Sequence, residues 1–371
     1  MEMTTDLMGL KLKNPILTAA GPWAGNATGI QSCIDAGAGA VITETMSLEA
    51  RQRVSPRLFA HDQALFNTML YSNLHLEEWE DEFRVIDRKD AKLICSIWGA
   101  TASEIAYLAR KVEQMGADGI EISISAPIGS RNQFLTRHSS NIQAFAAAAV
   151  DAVSIPVMVK LSYEAAALPE FSWDLKKAGV KAISAIDALK GLAGVDIEHQ
   201  RTLMPTYGGY TGPHIRPVSL ATTAALHQYT SLQVVSSGGV TDHESVIEFL
   251  MLGATAVQLA STMLSNGYEV ISKVISGLEG WMTRHGYKEL GEIRGSALPS
   301  LRAYEDIVPG RLCAVALEAC HRHDCMRCVD SCLPHAIYMD PQKGICIKAD
   351  DCDGCGLCVA LCPQKILSLE W

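Results

Sequence analysis

A closed (β/α)8 TIM barrel followed by a small cysteine-rich domain is the fold class that this sequence predicts. Three observations predict it. Short, almost wholly apolar runs recur eight times before residue 263, longer segments with a helical period lie between them, and nine of the twelve cysteines fall between Cys320 and Cys362. The domains expected are 1–312, the barrel with its connector, and 313–371, the cysteine domain.

The eight runs are NPILTAAG (14–21), AVITET (40–45), KLICSIWG (92–99), GIEISIS (119–125), PVMVKLS (156–162), AISAIDA (182–188), LQVVSSGG (232–239) and AVQLAST (256–262). Continuous apolar character is what parallel strands need when both faces are buried. The intervening segments include TASEIAYLARKVEQMG, which opens on the capping pattern Thr101-x-x-Glu104, and DHESVIEFLMLG. The eighth helix is YEVISKVISGLEGWMTRHG. Strand–helix alternation of this kind closes into a barrel. The alternative is a doubly wound open sheet. It would carry G-x-G-x-x-G after its first strand, and AAGPWAGNATG does not supply that pattern.

Bulk properties narrow the function. A net charge of −10 disfavours a nucleic-acid or anionic-membrane surface, and no apolar run is long enough to span a bilayer. MEMTTDLMGLKLKNP lacks the basic-then-apolar order of a secretion signal, so a cytoplasmic location is expected. Clustered cysteines in that setting favour metal over a disulfide staple.

The tail is read from its spacing. CDGCGLCVALCP places Cys352, Cys355, Cys358 and Cys362-Pro at gaps of two, two and three, the ligand run of a [4Fe-4S] cluster. In a two-cluster ferredoxin the fourth cysteine of each run crosses to the other cluster. Cys332 then joins Cys352, Cys355 and Cys358, while Cys362 joins Cys325 and Cys328. The first run is irregular, with Arg322 at the regular position, so Cys320 is assigned as its missing ligand. Zinc is the competing reading of paired C-x-x-C elements, although eight cysteines in two interlocked runs exceed its four ligands. Cys346 is read as packing, and His321, His323 and His335 as surface groups.

Barrel enzymes work at the C-terminal ends of their strands, with phosphate often held after strands seven and eight. Here those ends read SSGGVTDHES and LASTMLSNG, and YGGYTGPHIRPVSL adds a second glycine-rich loop. Glycine permits close backbone approach, and a following helix offers free N–H groups to an anion. An ordinary strand-to-helix turn is the bland alternative for Gly-Gly alone. A flavin mononucleotide (FMN) fits, because an iron–sulfur tail needs a partner that exchanges both single electrons and hydrides.

NPILTAAG, FNTML, SPR, GADGIEISISAP, PVMVKL, GGYTGPHIRPVSL and SSGGV stand in the order seen in class 1 dihydroorotate dehydrogenases. Over nearly its whole length the chain most resembles the flavin and iron–sulfur half of dihydropyrimidine dehydrogenase, including its bacterial two-subunit form. The resemblance implies FMN across the barrel mouth, with Ala20 and Gly21 touching the ring through backbone. It also implies a catalytic Lys160 beside the flavin N1/O2 edge, where a positive charge stabilises the reduced anionic ring. Gly209, Gly212, Gly238, Gly239, Ser261 and Thr262 match the phosphate-end loops, with Ala260 where the family has glycine.

The substrate side departs from the family. The lysine expected after strand two is Glu44, the N-L-S-C-P motif of strand four becomes SISAPI with Ser123, Ala126 and Ile128, and an asparagine after strand six becomes Asp187. Of the groups that grip a pyrimidine ring, Asn67 remains. These changes imply a substrate other than orotate, neutral or cationic, and not necessarily a pyrimidine. Counting from the shared Ser-x-Pro places Ser139 where dihydropyrimidine dehydrogenase has its acid cysteine, with His138 the competitor and Glu44 next. A solvated loop with a helix N-cap is the plainer role for both loop residues. Trp23, Trp98, Tyr71 and Tyr210 are read either as pocket lining or as rim packing.

The function expected is an FMN and iron–sulfur oxidoreductase acting on a C–C or C=C bond of a small cyclic or unsaturated molecule. Electrons would reach a separate NAD(P)H flavoprotein subunit or a ferredoxin, and analogy suggests a homodimer or larger complex. The alternative is an electron-transfer subunit with a non-catalytic barrel. A synthase or isomerase without net redox would leave the clusters without a purpose.

Overall fold

The structure, a computed structural model, describes residues 2–50, 57–61, 64–68, 71–124, 139–307, 310, 312–320 and 324–370. Contacts divide the chain into two compact units, Met1–Ser300 and Leu301–Trp371.

In the first unit all eight apolar runs form strands: Ile16–Thr18, Ala40–Ile42, Lys92–Ile97, Gly119–Ser123, Val157–Leu161, Ala182–Ala185, Gln233–Ser237 and Ala256–Leu259. Each pairs in parallel with the next, and the eighth returns to the first to close the barrel. Side chains alternate across each strand. Ile16, Val41, Leu93, Ile120, Val159 and Val257 face the helices in the outer core. Leu17, Ile42, Ile94, Met158, Val235 and Ala256 face inward.

Two features were not anticipated. A hairpin of Thr5–Leu7 and Leu10–Leu12 turns at Met8 and Gly9, both in the left-handed region (φ 59 and 85). Its Leu7, Met8 and Leu12 pack into the inward cluster and close the base of the barrel. The second is a four-stranded antiparallel sheet in the order Leu189–Gly191, Gly208–Thr211, Ala64–Asn67, Leu58–His61, assembled from the segments after strands two and six. It has a small core of its own, with Phe66, Ala193 and Met204 buried and Phe66 stacked on Tyr210 at 5.2 Å between ring centres.

Helix starts follow the sequence signals. Thr101 Oγ1 accepts the Glu104 N–H (3.2 Å), and the Glu104 carboxylate accepts the Ala100 N–H (2.7 Å). Asp242 and Ser245 form a full capping box at the helix after strand seven.

The second unit holds two antiparallel strand pairs, Cys313–Ala316 with Leu367–Glu370 and Ile337–Asp340 with Gly344–Ile347, and two short helices, Arg327–Asp330 and Leu357–Leu361. Its core is made largely of cysteine and short aliphatic side chains.

Candidate active site and cluster ligands

The barrel interior changes character in one step. Two residues beyond the apolar inward positions, the strands place Glu44, Ser96, Glu121, Lys160, Ser184, Ser237 and Gln258. Lys160 is 7% exposed, while Glu121 and Gln258 are fully buried. Lys160 Nζ donates to Gln258 Oε1 (2.6 Å), Gln258 Nε2 donates to Glu121 Oε1 (2.8 Å), and Ser184 Oγ donates to the same oxygen (2.7 Å). Glu121 and Gln258 were not among the residues anticipated. Their signal was present, because a carboxylate in GIEIS and an amide in AVQLA each interrupt an apolar strand at an inward position. Ser123 stands beside Lys160, its register partner on the neighbouring strand.

Lys160 carries three N–H donors and finds one protein acceptor among the described residues. A nearly buried ammonium with unfilled donors fits an anionic group above it, as FMN would require. Ala20 packs beside the inward cluster. Gly21 has a further reason to lack a side chain, since a β-carbon there would stand 2.4 Å from the Trp23 indole.

The glycine loops after strands six and seven meet. Gly212 (φ 102) opens the turn Pro213–Ile215 and the helix Arg216–Tyr229. Gly238 and Gly239 (φ 107 and 79) lie against that helix, where a β-carbon would come within 2.2 Å of Ser219 Oγ and 2.5 Å of Arg216 Cβ respectively. Backbone N–H groups of both loops are thereby gathered at one sector. Ser261 and Thr262 start the helix Ser261–Asn266, and Ala260 before them has φ −133, which a side chain tolerates. Gly209 is a strand residue of the antiparallel sheet, paired with Asn67, and its carbonyl accepts the Asn67 Nδ2–H at 3.3 Å.

Asn67 is thereby joined to the Asp187 corner, because a β-carbon on Gly209 would stand 2.7 Å from Ala188 Cβ. The Asp187 N–H donates to Leu161 O (3.1 Å), and its carboxylate accepts the Ala188 N–H (2.9 Å). Glu44 is 5% exposed and held by its N–H to Ala24 O (2.9 Å). Tyr71 and Trp98 stack face to face at 4.5 Å.

Ser139 begins the helix Ser139–Val150 and stands close to Asp174 of the outer helix Pro169–Lys177. Lys177 first, then Ser139, holds the Asp174 carboxyl below its usual range. His138, Ala126 and Ile128 lie outside the described residues, as do His321 and His323.

In the second unit Cys332, Cys352, Cys355 and Cys358 line one cavity with Pro334, Ile337, Gly356 and Leu369. The Ala336 N–H donates to Cys332 Sγ (3.2 Å) and the Ala314 N–H to Cys352 Sγ (3.4 Å), as thiolates bound to iron are commonly supported. Elsewhere in the same core, burial raises the Cys328 thiol, and Cys362 and Cys320 stand near enough to add to the effect. Cys320 Sγ lies 3.7 Å from Gln364 Oε1. Cys325 is partly buried. Among the described residues no three such groups converge around a single ion. Cys346 sits beside the Tyr338 hydroxyl.

A sequence model described as dihydroorotate dehydrogenase matches residues 2–282, and one described as a 4Fe-4S dicluster domain matches residues 319–366. The chain belongs to the dihydroorotate dehydrogenase family. Similar curated proteins are the catalytic subunits of dihydroorotate dehydrogenase B (NAD(+)) from three archaea. The Thermococcus kodakarensis protein is 30% identical over 305 residues, covering 80% of this chain and 98% of the relative. The Pyrococcus abyssi protein is 29% identical over 299 residues (80% and 99%), and the Methanosarcina mazei protein 30% over 298 residues (78% and 94%). As a member of that family, this chain is a flavin-dependent oxidoreductase acting on CH–CH bonds, and it carries a ferredoxin-type domain at its C-terminal end. Among the described residues no helix is long and apolar enough to cross a membrane.

Proposed function

We propose that this chain adds or removes two hydrogens across a carbon–carbon bond of a small, donor-rich cyclic substrate other than orotate. FMN at the barrel mouth would exchange the hydride. Two [4Fe-4S] clusters, one on Cys332, Cys352, Cys355 and Cys358 and the other on Cys320, Cys325, Cys328 and Cys362, would pass electrons to a separate protein.

The observation that carries the substrate reading is the set of acceptors around the mouth. The Gly209 carbonyl takes an Asn67 N–H, which leaves Asn67 Oδ1 as an acceptor. Glu44 and Asp187 are acceptor-only when ionised. Such a site pairs with ring N–H groups or a cation and repels a carboxylate such as that of orotate. Lys160 would hold the cofactor edge, with Ser123 beside it on the neighbouring strand. Ser139, His138 and Glu44 are the proposed sources of the proton.

The relatives are named as catalytic subunits of a larger enzyme, which supports a partner here, either an NAD(P)H flavoprotein subunit or a ferredoxin. A homodimeric core within a larger complex is the assembly proposed. Domain limits of 1–312 and 313–371 serve for dissection.

Anaerobically reduced protein mixed with unsaturated lactams, enones, pyrimidines and orotate tests the reading. A lactam or amino-substituted ring should reoxidise the flavin at least about tenfold faster than orotate, the effect of one charge-assisted hydrogen bond. Preference for orotate would refute the substrate class. Reoxidation by no compound would favour the alternative of a relay subunit with a silent barrel, for which Glu44 and Ala126 are the supporting departures.

A further inference from the structure

Glu121 is the one carboxylate of the inward layer that the proposed chemistry leaves without a role. It is fully buried on the fourth strand, and its Oε1 accepts from both Ser184 and Gln258. Its Oε2 is buried without a hydrogen-bond partner. A buried carboxylate in that condition is costly unless a positive charge balances it. No direct ion pair reaches it among the described residues. The nearest balance is Lys160, one amide away.

That amide can stand only one way round. Lys160 offers donors alone and an ionised Glu121 acceptors alone, so Gln258 must turn Oε1 to the ammonium and Nε2 to the carboxylate. The chain ammonium–amide–carboxylate is thus directional, and Ser184 fixes its far end. Charge-assisted hydrogen bonds at both ends hold the Lys160 side chain in one place under the mouth.

We infer that Glu121 is a positioning residue for flavin reduction, acting through Gln258 to hold the Lys160 ammonium under the mouth. This rests on the reading of Lys160 as the group beside the flavin. A merely architectural Glu121 would matter equally to oxidised and reduced FMN. A positioning Glu121 matters more to the reduced, anionic form.

The test is the two-electron reduction potential of FMN in the full-length, anaerobically reconstituted protein without substrate. Glu121→Gln should retain FMN yet lower the reduced-to-oxidised affinity ratio about tenfold, a fall of about 30 mV. Gln258→Leu should move it the same way, and Glu121→Asp should restore part of the loss. Lys160→Met should also lower the potential, and adding Glu121→Gln to it should lower it no further. A wild-type potential in Glu121→Gln while Lys160→Met is shifted would overturn the inference alone. An unshifted Lys160→Met would overturn the reading of Lys160 as well. If Glu121→Gln fails to fold, Gln258→Leu decides by the same criterion, and equal weakening of both FMN forms would count against the inference.

Discussion

Replacing Gly239 by alanine should separate the conformational demand of the strand-seven turn from its packing demand. The residue has φ 79, where a side chain costs about 1–2 kcal/mol. Its new β-carbon would also stand 2.5 Å from Arg216 Cβ and 2.7 Å from Arg216 Cα and N, far inside van der Waals contact. Relieving that overlap means moving the first turn of the helix Arg216–Tyr229, at an overpacking cost of about 1–3 kcal/mol. The total is about 2–5 kcal/mol, which at roughly 2 °C per kcal/mol for a unit of this size lowers Tm by about 4–10 °C. Gly286→Ala is the control. It has nearly the same φ, 76, and nothing within 4 Å of the added carbon, so it should lose only the conformational part. Thermal unfolding followed by tryptophan fluorescence reports the barrel, because five of the six tryptophans precede residue 300. FMN released on heating should fall in Gly239→Ala and stay at wild-type levels in Gly286→Ala. Equal Tm losses in the two variants, with equal flavin content, would refute the close approach of turn and helix.

Three further outcomes are expected. Cys332→Ser should remove about one cluster's worth of iron, roughly four atoms per chain, whereas Cys346→Ser should leave iron and sulfide unchanged by colorimetric assay. Burial pushes the Cys33 thiol up to about 12 and Cys95 higher still, so iodoacetamide at neutral pH should leave both unmodified in the native protein, as read by peptide mass spectrometry. Since the folded Cys33 value lies above the unfolded one, its contribution to stability is complete below about pH 8.5 and is lost as pH rises towards the folded value. Leu7→Ala should cost about 2–5 kcal/mol, because Leu7 is fully buried in the base of the barrel, with the loss read as a lower urea midpoint.

The barrel was legible because its signal is redundant. Each strand is a short apolar run, and eight of them in alternation with helices admit few other topologies. The antiparallel sheet was not legible, because YGGYT and LFAHDQALFN pair across more than a hundred residues and glycine suggests a loop before it suggests a strand. Lys160 is buried, as an ammonium within an apolar strand suggested, and the same logic applied to Glu121 would have exposed its counterpart. Ser139 illustrates a different limit. Counting along a loop fixes a position in sequence, while its surroundings, here the helix that brings Asp174 close, come from elsewhere in the chain.

The hairpin at the base bears on how the chain assembles. Gln233 accepts the Met8 N–H (2.6 Å) and returns its own amide N–H to Asp6 O (2.9 Å), and Thr5 Oγ1 donates to Thr255 O (3.3 Å). The hairpin therefore waits, while the ribosome works, for hydrogen-bond partners encoded more than two hundred residues downstream, and Leu7 and Leu12 for a cluster that is complete only at Ala256. Such distant closure is slow, and the uncovered leucines invite association in the meantime. Assistance from a chaperone during synthesis would matter most for this stopper at the base of the barrel.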